Sequence, residues 1–289
     1  MDNKKIDLGA RGIYSLNNKL NNLTGKEWVK FTKSWTIINP KRRKEDTILH
    51  PAKFPEELVS QFISFFTKEN EIVFDPFLGT GSTLVASKEI NRFGIGIELN
   101  IKYSNIAKKR LEPDNNKSHF VINGDSLAIL SKKNNKINNI LNKLNSKYVD
   151  FIITSPPYWD MLKNSRGNIK TLKKIHLEKG GDDFYSDLKE DFGNMTEYNQ
   201  YMDNLTLLFS NSYDLLKPNG YLVIIIQNIR VKEGSMIPVA WDLAIRLSKK
   251  YKLKQEKLWL QDNKSLNIWG YPSTYVSNVH HHYCLVFQK

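Results

Sequence analysis

Cysteine is nearly missing from this 289-residue chain. Cys284 is the only one, so neither a disulfide framework nor a thiol-rich metal site can form within one copy. No stretch approaches the roughly 18 to 20 consecutive apolar residues that cross a bilayer, and the opening Met1-Asp-Asn-Lys-Lys5 has no apolar signal core. These absences predict a cytoplasmic protein without a membrane partner. Acidic side chains are in deficit, 30 against 43 basic ones, which leaves a formal charge of +13. Such a field concentrates polyanions, although Lys supplies 35 of the 43 cations and a Lys-rich surface would give the same total. Internal repeats and low-complexity linkers are absent too. What is present, 40% hydrophobic and 25% charged residues, excludes disordered and fibrous classes.

Short β-branched and aromatic runs recur with room for helices between them: 71–74, 92–98, 119–122, 148–153, 220–226, 256–260 and 281–287. Uninterrupted apolar runs of this length are typical of strands buried on both faces. Helical patterns fall at 56–66, 82–90, 101–110, 126–130, 196–216 and 238–250, several opened by Ser, Thr or Pro. The alternation predicts an α/β fold: a doubly wound, seven-stranded, mostly parallel sheet whose last two strands form an antiparallel hairpin. In such sheets ligands bind beyond the C-terminal strand ends. Two segments stand outside the alternation. Residues 1–47 carry Trp28, Phe31 and Trp35 ahead of Lys41-Arg-Arg-Lys44, and residues 160–197 run from basic to acidic. The expected organisation is therefore an aromatic and basic extension over 1–47 and a main domain over 48–289, with 160–197 as an insertion.

The chemistry gathers at four strand ends. Phe74-Asp-Pro-Phe-Leu-Gly-Thr-Gly-Ser-Thr83 turns the first strand into a helix. Gly79 and Gly81 let the backbone pass close to a ligand, and the helix beginning near Ser82 aims free N–H groups at it. No Gly-Lys-Ser/Thr follows, which disfavours phosphate cradling. Glu98 closes the second strand about 20 residues on, where an acid can accept both hydroxyls of a ribose; it could equally cap the next helix. Asp125-Ser126 closes the third strand, with a helix cap as the alternative. Acids at three successive strand ends, Asp75, Glu98 and Asp125, make coincidence a poor explanation. The fourth strand ends in Thr154-Ser-Pro-Pro-Tyr158. Two prolines fix the backbone and donate nothing, so the carbonyls of Ser155 and Pro156 become bare acceptors in a rigid turn. Paired acceptors suit an amine, and Tyr158 offers a ring on which a base can stack; taken alone, the tetrad could equally be a Pro-Pro loop around a buried aromatic.

Together, Asp75-Pro-Phe-Leu-Gly-Thr-Gly-Ser82, Ile97-Glu98 and Ser155-Pro-Pro-Tyr158 resemble the motifs of the amino-group DNA methyltransferases, and His50-Pro-Ala-Lys-Phe-Pro55 resembles the segment preceding the glycine turn in that family. The resemblance spans roughly residues 48–289 and implies a Rossmann-like, S-adenosylmethionine-dependent enzyme acting on cytosine N4 or adenine N6. It implies that Asp75, Phe77, Gly79 and Gly81 line the methionine end of the cofactor, that Glu98 holds its ribose, and that Asp125 with Ser126 meets the adenine. Lys53 would reach the cofactor carboxylate or, in the other reading, stand solvated at the start of the next helix. Ser155, Pro156, Pro157 and Tyr158 would form the catalytic corner, Ser155 tilting the choice to cytosine N4. DNA is the implied partner, with a cognate restriction endonuclease as a candidate second one, and no metal is required. His280-His-His282 does not change that, since neighbours on a strand face opposite sides.

The sequence departs from the family in lacking an evident large recognition domain after the sheet. Recognition then falls to 1–47, to 160–197 and to Asn267–Tyr271, with Trp28, Trp35 and His176 as aromatic contacts; a hydrophobic plug over the sheet is the other reading of the tryptophans. Two rival functions are an RNA guanine-N2 methyltransferase with a similar proline pair and a catalytically silent nucleic-acid-binding protein, though the latter would show a damaged glycine turn or proline pair.

Overall fold

The computed structural model describes residues 4–39, 55–112, 118–159, 188, 190–231 and 234–289. Lys53, the rest of His50–Phe54, the Lys41–Lys44 cluster, His176 and most of the 160–197 insertion lie outside the described residues.

Twelve strands and eight helices are described. The strands are β1 (Lys5–Asp7), β2 (Ile13–Ser15), β3 (Trp35–Ile37), β4 (Ile72–Asp75), β5 (Phe93–Glu98), β6 (His119–Asn123), β7 (Val149–Thr154), β8 (Leu216–Ile226), β9 (Ile229–Arg230), β10 (Met236–Ile237), β11 (Lys252–Leu260) and β12 (His281–Gln288). The helices are α1 (Gly25–Phe31), α2 (Glu56–Phe66), α3 (Ser82–Glu89), α4 (Ile101–Leu111), α5 (Ser126–Ile129), α6 (Lys136–Lys143), α7 (Tyr198–Leu215) and α8 (Val239–Leu247). One large sheet runs in the order β3-β11-β12-β8-β7-β4-β5-β6. β12 alone is antiparallel to its neighbours β11 and β8; the other pairings are parallel.

All seven expected strands are in that sheet, and the last two form the expected antiparallel pair. The count, however, is eight. The eighth strand, β3, comes from the N-terminal extension and pairs in parallel with Leu258–Leu260. Around it, Leu258 N–H donates to Ser34 O (2.8 Å) and Trp259 Nε1 donates to Ile38 O (2.8 Å). Lys257 is buried, its ammonium donating to the carbonyls of Phe31 (2.6 Å) and Lys33. The extension is thereby stitched into the sheet.

Strand alternation sorts the apolar side chains onto two faces. Val73, Phe151, Ile153, Val223, Ile225 and Cys284 meet α2 on one face. Ile72, Phe74, Ile152, Leu222, Ile224 and Leu285 meet α7 and α8 on the other. The α2 stripe is fully apolar inward (Leu58, Val59, Phe62, Ile63, Phe65, Phe66), and Glu56 and Glu57 in its first turn favour the helix dipole. Burying each such Leu, Ile or Phe contributes about 1.5–3 kcal/mol. Trp28 and Phe31 of α1 pack onto this helix, with ring centroids 4.8 and 4.0 Å from Phe65. Trp28 therefore takes the plug position. Trp35 instead is exposed, with the Lys33 ammonium 3.4 Å above its ring.

Candidate active site

Between β4 and α3 the chain makes the glycine turn, with Gly79 at φ +57° and Gly81 at φ +91°. Both values lie in the left-handed region, which glycine enters without a Cβ penalty. At Gly81 the space is closed as well: an added Cβ would stand 3.0 Å from the Cβ and 3.1 Å from the Cα of Ala107 in α4. The turn is held from the next strand. Leu78 N–H donates to Ile97 O (2.8 Å) and Gly79 N–H to Glu98 Oε2 (2.7 Å), while Glu98 Oε1 accepts from Asn100 N–H (2.8 Å). Burial pushes the Glu98 carboxyl up to about 7 against the pull of those two amides, and the charges of Asp191 and Asp75 push the same way.

An open cleft lies over this turn, its empty space, mouth included, about 800 Å³. Of the residues singled out by sequence, Phe77, Gly79, Ser82, Glu98, Asp125, Ser126, Ser155, Pro156 and Pro157 line it. The glycine turn and the proline corner thus open into one space. Asp75, Gly81 and Tyr158 are not in its lining. Asp125 also caps α5, its oxygens accepting from Leu127 and Ala128 N–H (both 3.1 Å), and Ser126 Oγ donates to Pro76 O (2.5 Å). The helix-cap reading of Asp125 is met, and the same residue lines the cleft.

Asp75 sits behind the cleft wall, completely buried. Its Oδ1 accepts from Thr154 Oγ1 (2.5 Å) and Phe77 N–H (2.9 Å), and its Oδ2 from Thr83 Oγ1 (2.5 Å). Desolvation nevertheless raises its pKa to about 6, the three hydrogen bonds opposing it. One side chain therefore fastens the helix after the glycine turn to the last residue of β7, from which the Ser155–Tyr158 corner begins.

That corner is braced from two more directions. Tyr201 of α7 donates its hydroxyl to Pro157 O (2.9 Å), and the Tyr158 hydroxyl pairs with His282 Nδ1 (3.0 Å). The His282 ring stacks on Trp259 with centroids 4.5 Å apart. Burial lowers His282 to about 3 and raises Tyr158 to about 12, so the pair is neutral at ordinary pH. None of the described residues donates a hydrogen bond to the carbonyls of Ser155 or Pro156. The Tyr158 ring is only 6% exposed, so a base can stack on it only once it is uncovered.

Sequence reasoning left out Tyr103, Glu190, Asp191 and Phe192, all of which line the cleft. Phe192 sets its ring edge-on to Phe77 at 5.2 Å, and Asp191 caps the short turn through Gly193 N–H (2.9 Å). The available signal was the acidic end of the 160–197 insertion, whose return to the cleft is a tertiary event. Among the described residues no three His, Cys, Asp or Glu side chains are grouped as metal ligands, and no helix is long and apolar enough to cross a membrane.

The lining suits a ring-bearing, polyhydroxylated ligand. Glu98 keeps lone pairs for two vicinal hydroxyls, the buried hydroxyls of Thr80 and Ser82 have no partner among the described residues, and Phe77, Leu78, Ile97 and Tyr103 supply apolar walls. These features fit a nucleoside cofactor.

Comparison with known proteins agrees with this geometry. The N6/N4 family model described as DNA methylase matches residues 10–109 and 149–289. The chain is 36% identical over 84 residues to the Type II methyltransferase M.BglII of Bacillus subtilis, covering 28% of this chain and 23% of that protein. It is 37% identical over 114 residues to Type II methyltransferase M2.DpnII of Streptococcus pneumoniae (39% and 41% covered). Over 84 residues it is 42% identical to Type II methyltransferase M.HindIII of Haemophilus influenzae (29% and 27%). The matched segment thus spans less than half the length of each of these three relatives.

Proposed function

The chain belongs to the N6/N4 DNA methylase family, and on that premise we propose that it moves a methyl group from S-adenosylmethionine to an exocyclic amine of a DNA base, cytosine N4 in particular. The observation that carries the reading is the shared cleft: Gly79, Glu98 and Ser126 on one side and Ser155, Pro156 and Pro157 on the other line a single space. S-adenosylmethionine, when bound, supplies a methyl carbon activated by a positive sulfur. The chain's own residues do the rest. Glu98 accepts the ribose hydroxyls, Asp125 and Ser126 face the adenine, and Phe77 and Gly79 border the methionine end. Lys53 belongs to the same proposal as the partner of the cofactor carboxylate.

An exocyclic amine is conjugated to its base and is a poor nucleophile. The carbonyls of Ser155 and Pro156 accept its two hydrogens, which favours the pyramidal nitrogen with an available lone pair and stabilises positive charge as it develops there. Pro156 and Pro157 keep those acceptors preorganised, and Tyr201 and His282 fix the corner from behind. Asp75 acts through position: by tying Thr83 to Thr154 it sets the distance between the two halves of the site. Tyr158 serves as the stacking face once the incoming base displaces what covers it.

Cytosine N4 rests on Ser155 at the head of the corner, where the family's adenine enzymes more often carry Asp or Asn. The reading places the protein in the cytoplasm with DNA, as the protective half of a pair with a restriction endonuclease, and assigns duplex contacts to the extension over 1–47 and the insertion over 160–197. Nucleoside mass spectrometry of plasmid DNA from expressing cells tests it: N4-methylcytosine is expected, and methyladenine alone would overturn the cytosine assignment.

A further inference from the structure

Between Leu260 and His281 the chain leaves the sheet for a 20-residue loop. β11 runs parallel to β8 and β7 through the antiparallel β12, so the loop rises from the same sheet edge as the proline corner. Its return strand carries His282, the partner of Tyr158. The loop is firmly based. Asn278 accepts from Asn267 N–H and Trp269 Nε1 (both 3.1 Å) and donates to Asn267 O (2.9 Å). Arg230 donates to Ser277 O (2.6 Å) and lays its guanidinium 4.4 Å over the Trp269 ring. On this rigid base stand four side chains that a folded protein would ordinarily cover: Leu266, Ile268, Tyr271 and Tyr275, at 77%, 85%, 81% and 88% exposure.

We propose that Ile268, Tyr271 and Tyr275 form a wedge that docks on duplex DNA and enters the base stack where the target nucleotide leaves it. The proposal rests on the reading of DNA as substrate and names the surface that engages it. Charge selects this occupant over a protein: no acidic residue occurs from Asn263 to His280, the Arg230 guanidinium lies on the Trp269 ring at the base of the loop, and the whole chain carries +13. Apolar, stackable side chains on an acid-free loop of a basic chain match bases between phosphates.

The test uses the full chain with Ile268→Ala, Tyr271→Ala and Tyr275→Ala combined, assayed on plasmid DNA as duplex and after heat denaturation. Because the three side chains touch solvent, thermal unfolding and S-adenosylmethionine binding should match wild type. Duplex affinity and methyl transfer to duplex should fall at least about tenfold, transfer to denatured strands should fall much less, and Tyr271→Phe within the set should restore part of the duplex activity. Unchanged duplex binding, or equal losses on both substrates, would overturn the wedge. A shift in sedimentation with duplex binding intact would assign the surface to a second copy of the chain and overturn it too. If wild type binds duplex yet transfers no methyl to it, the methyltransferase reading fails on its own, and the binding comparison still decides the loop.

Discussion

Glu98 offers a test of the cofactor half of the site through pH. Its carboxyl titrates near 7 in the protein without ligand, because burial and the neighbouring charges of Asp191 and Asp75 outweigh the two amides it accepts from. Only the ionised form presents acceptors to both ribose hydroxyls. At pH 6, one unit below that value, about one tenth of the molecules are ionised, so the apparent Kd should be about tenfold weaker than at pH 8. The suitable ligand is 5′-methylthioadenosine, which keeps the ribose and lacks an amino-acid amine that would titrate alongside. Calorimetry from pH 5.5 to 8.5 should give affinity that rises with pH and flattens above 7.5. Glu98→Gln should remove that slope and bind weakly throughout. The same proton bears on folding. Raised from 4.5 to about 7, this group contributes stability that is present below pH 4.5 and lost as pH rises through 7, about 3 kcal/mol in all. A flat wild-type affinity profile, or a Glu98→Gln protein that keeps the slope, would refute the role given to this carboxylate.

Three further outcomes follow from particular contacts. Asp75→Ala strands the Thr83 and Thr154 hydroxyls and the Phe77 amide, and at about 1–3 kcal/mol for each buried group left unpaired it should cost about 3–9 kcal/mol in urea unfolding; a loss under 1 kcal/mol would show that the bridge is not structural. Gly81→Ala must place a Cβ at φ +91° and 3.0 Å from Ala107, and should lower stability by about 1–3 kcal/mol in a thermal melt, whereas an unchanged melt would contradict the close approach of α3 and α4. His282→Phe keeps the stack on Trp259 and removes the partner of the Tyr158 hydroxyl; kcat should fall with KM for S-adenosylmethionine unchanged, and an unaltered kcat would dismiss His282 as a positioning residue.

Much of this was legible in the chain because the signals were local. A strand buried on both faces announces itself as Ile72-Val-Phe or Ile224-Ile-Ile, and a glycine turn, a strand-end acid and a proline pair are contiguous. β3 was not legible, since three residues carry no periodicity and its pairing with Leu258–Leu260 spans more than 200 positions. The part Asp75 takes was hidden for a related reason. A strand-end carboxylate looks available to a ligand until two threonine hydroxyls, one of them 79 residues away, are seen to occupy it. Asp191 and Phe192 belong to a segment whose charge pattern suggested a surface, and only the folded chain returns them to the cleft. Trp28 and Trp35, equivalent as aromatic anchors in the sequence, part company because one faces α2 and the other faces solvent.

The central claim is that glycine turn and proline corner serve one reaction. It is tested most directly by following tritium from methyl-labelled S-adenosylmethionine into duplex DNA and transfer RNA, with wild-type and Pro157→Ala proteins side by side. The account predicts label in DNA alone, with the variant binding the cofactor as wild type does but transferring at least about tenfold less, as loss of a preorganised acceptor pair requires. Label confined to transfer RNA, or a Pro157→Ala protein that transfers as fast as wild type, would contradict it.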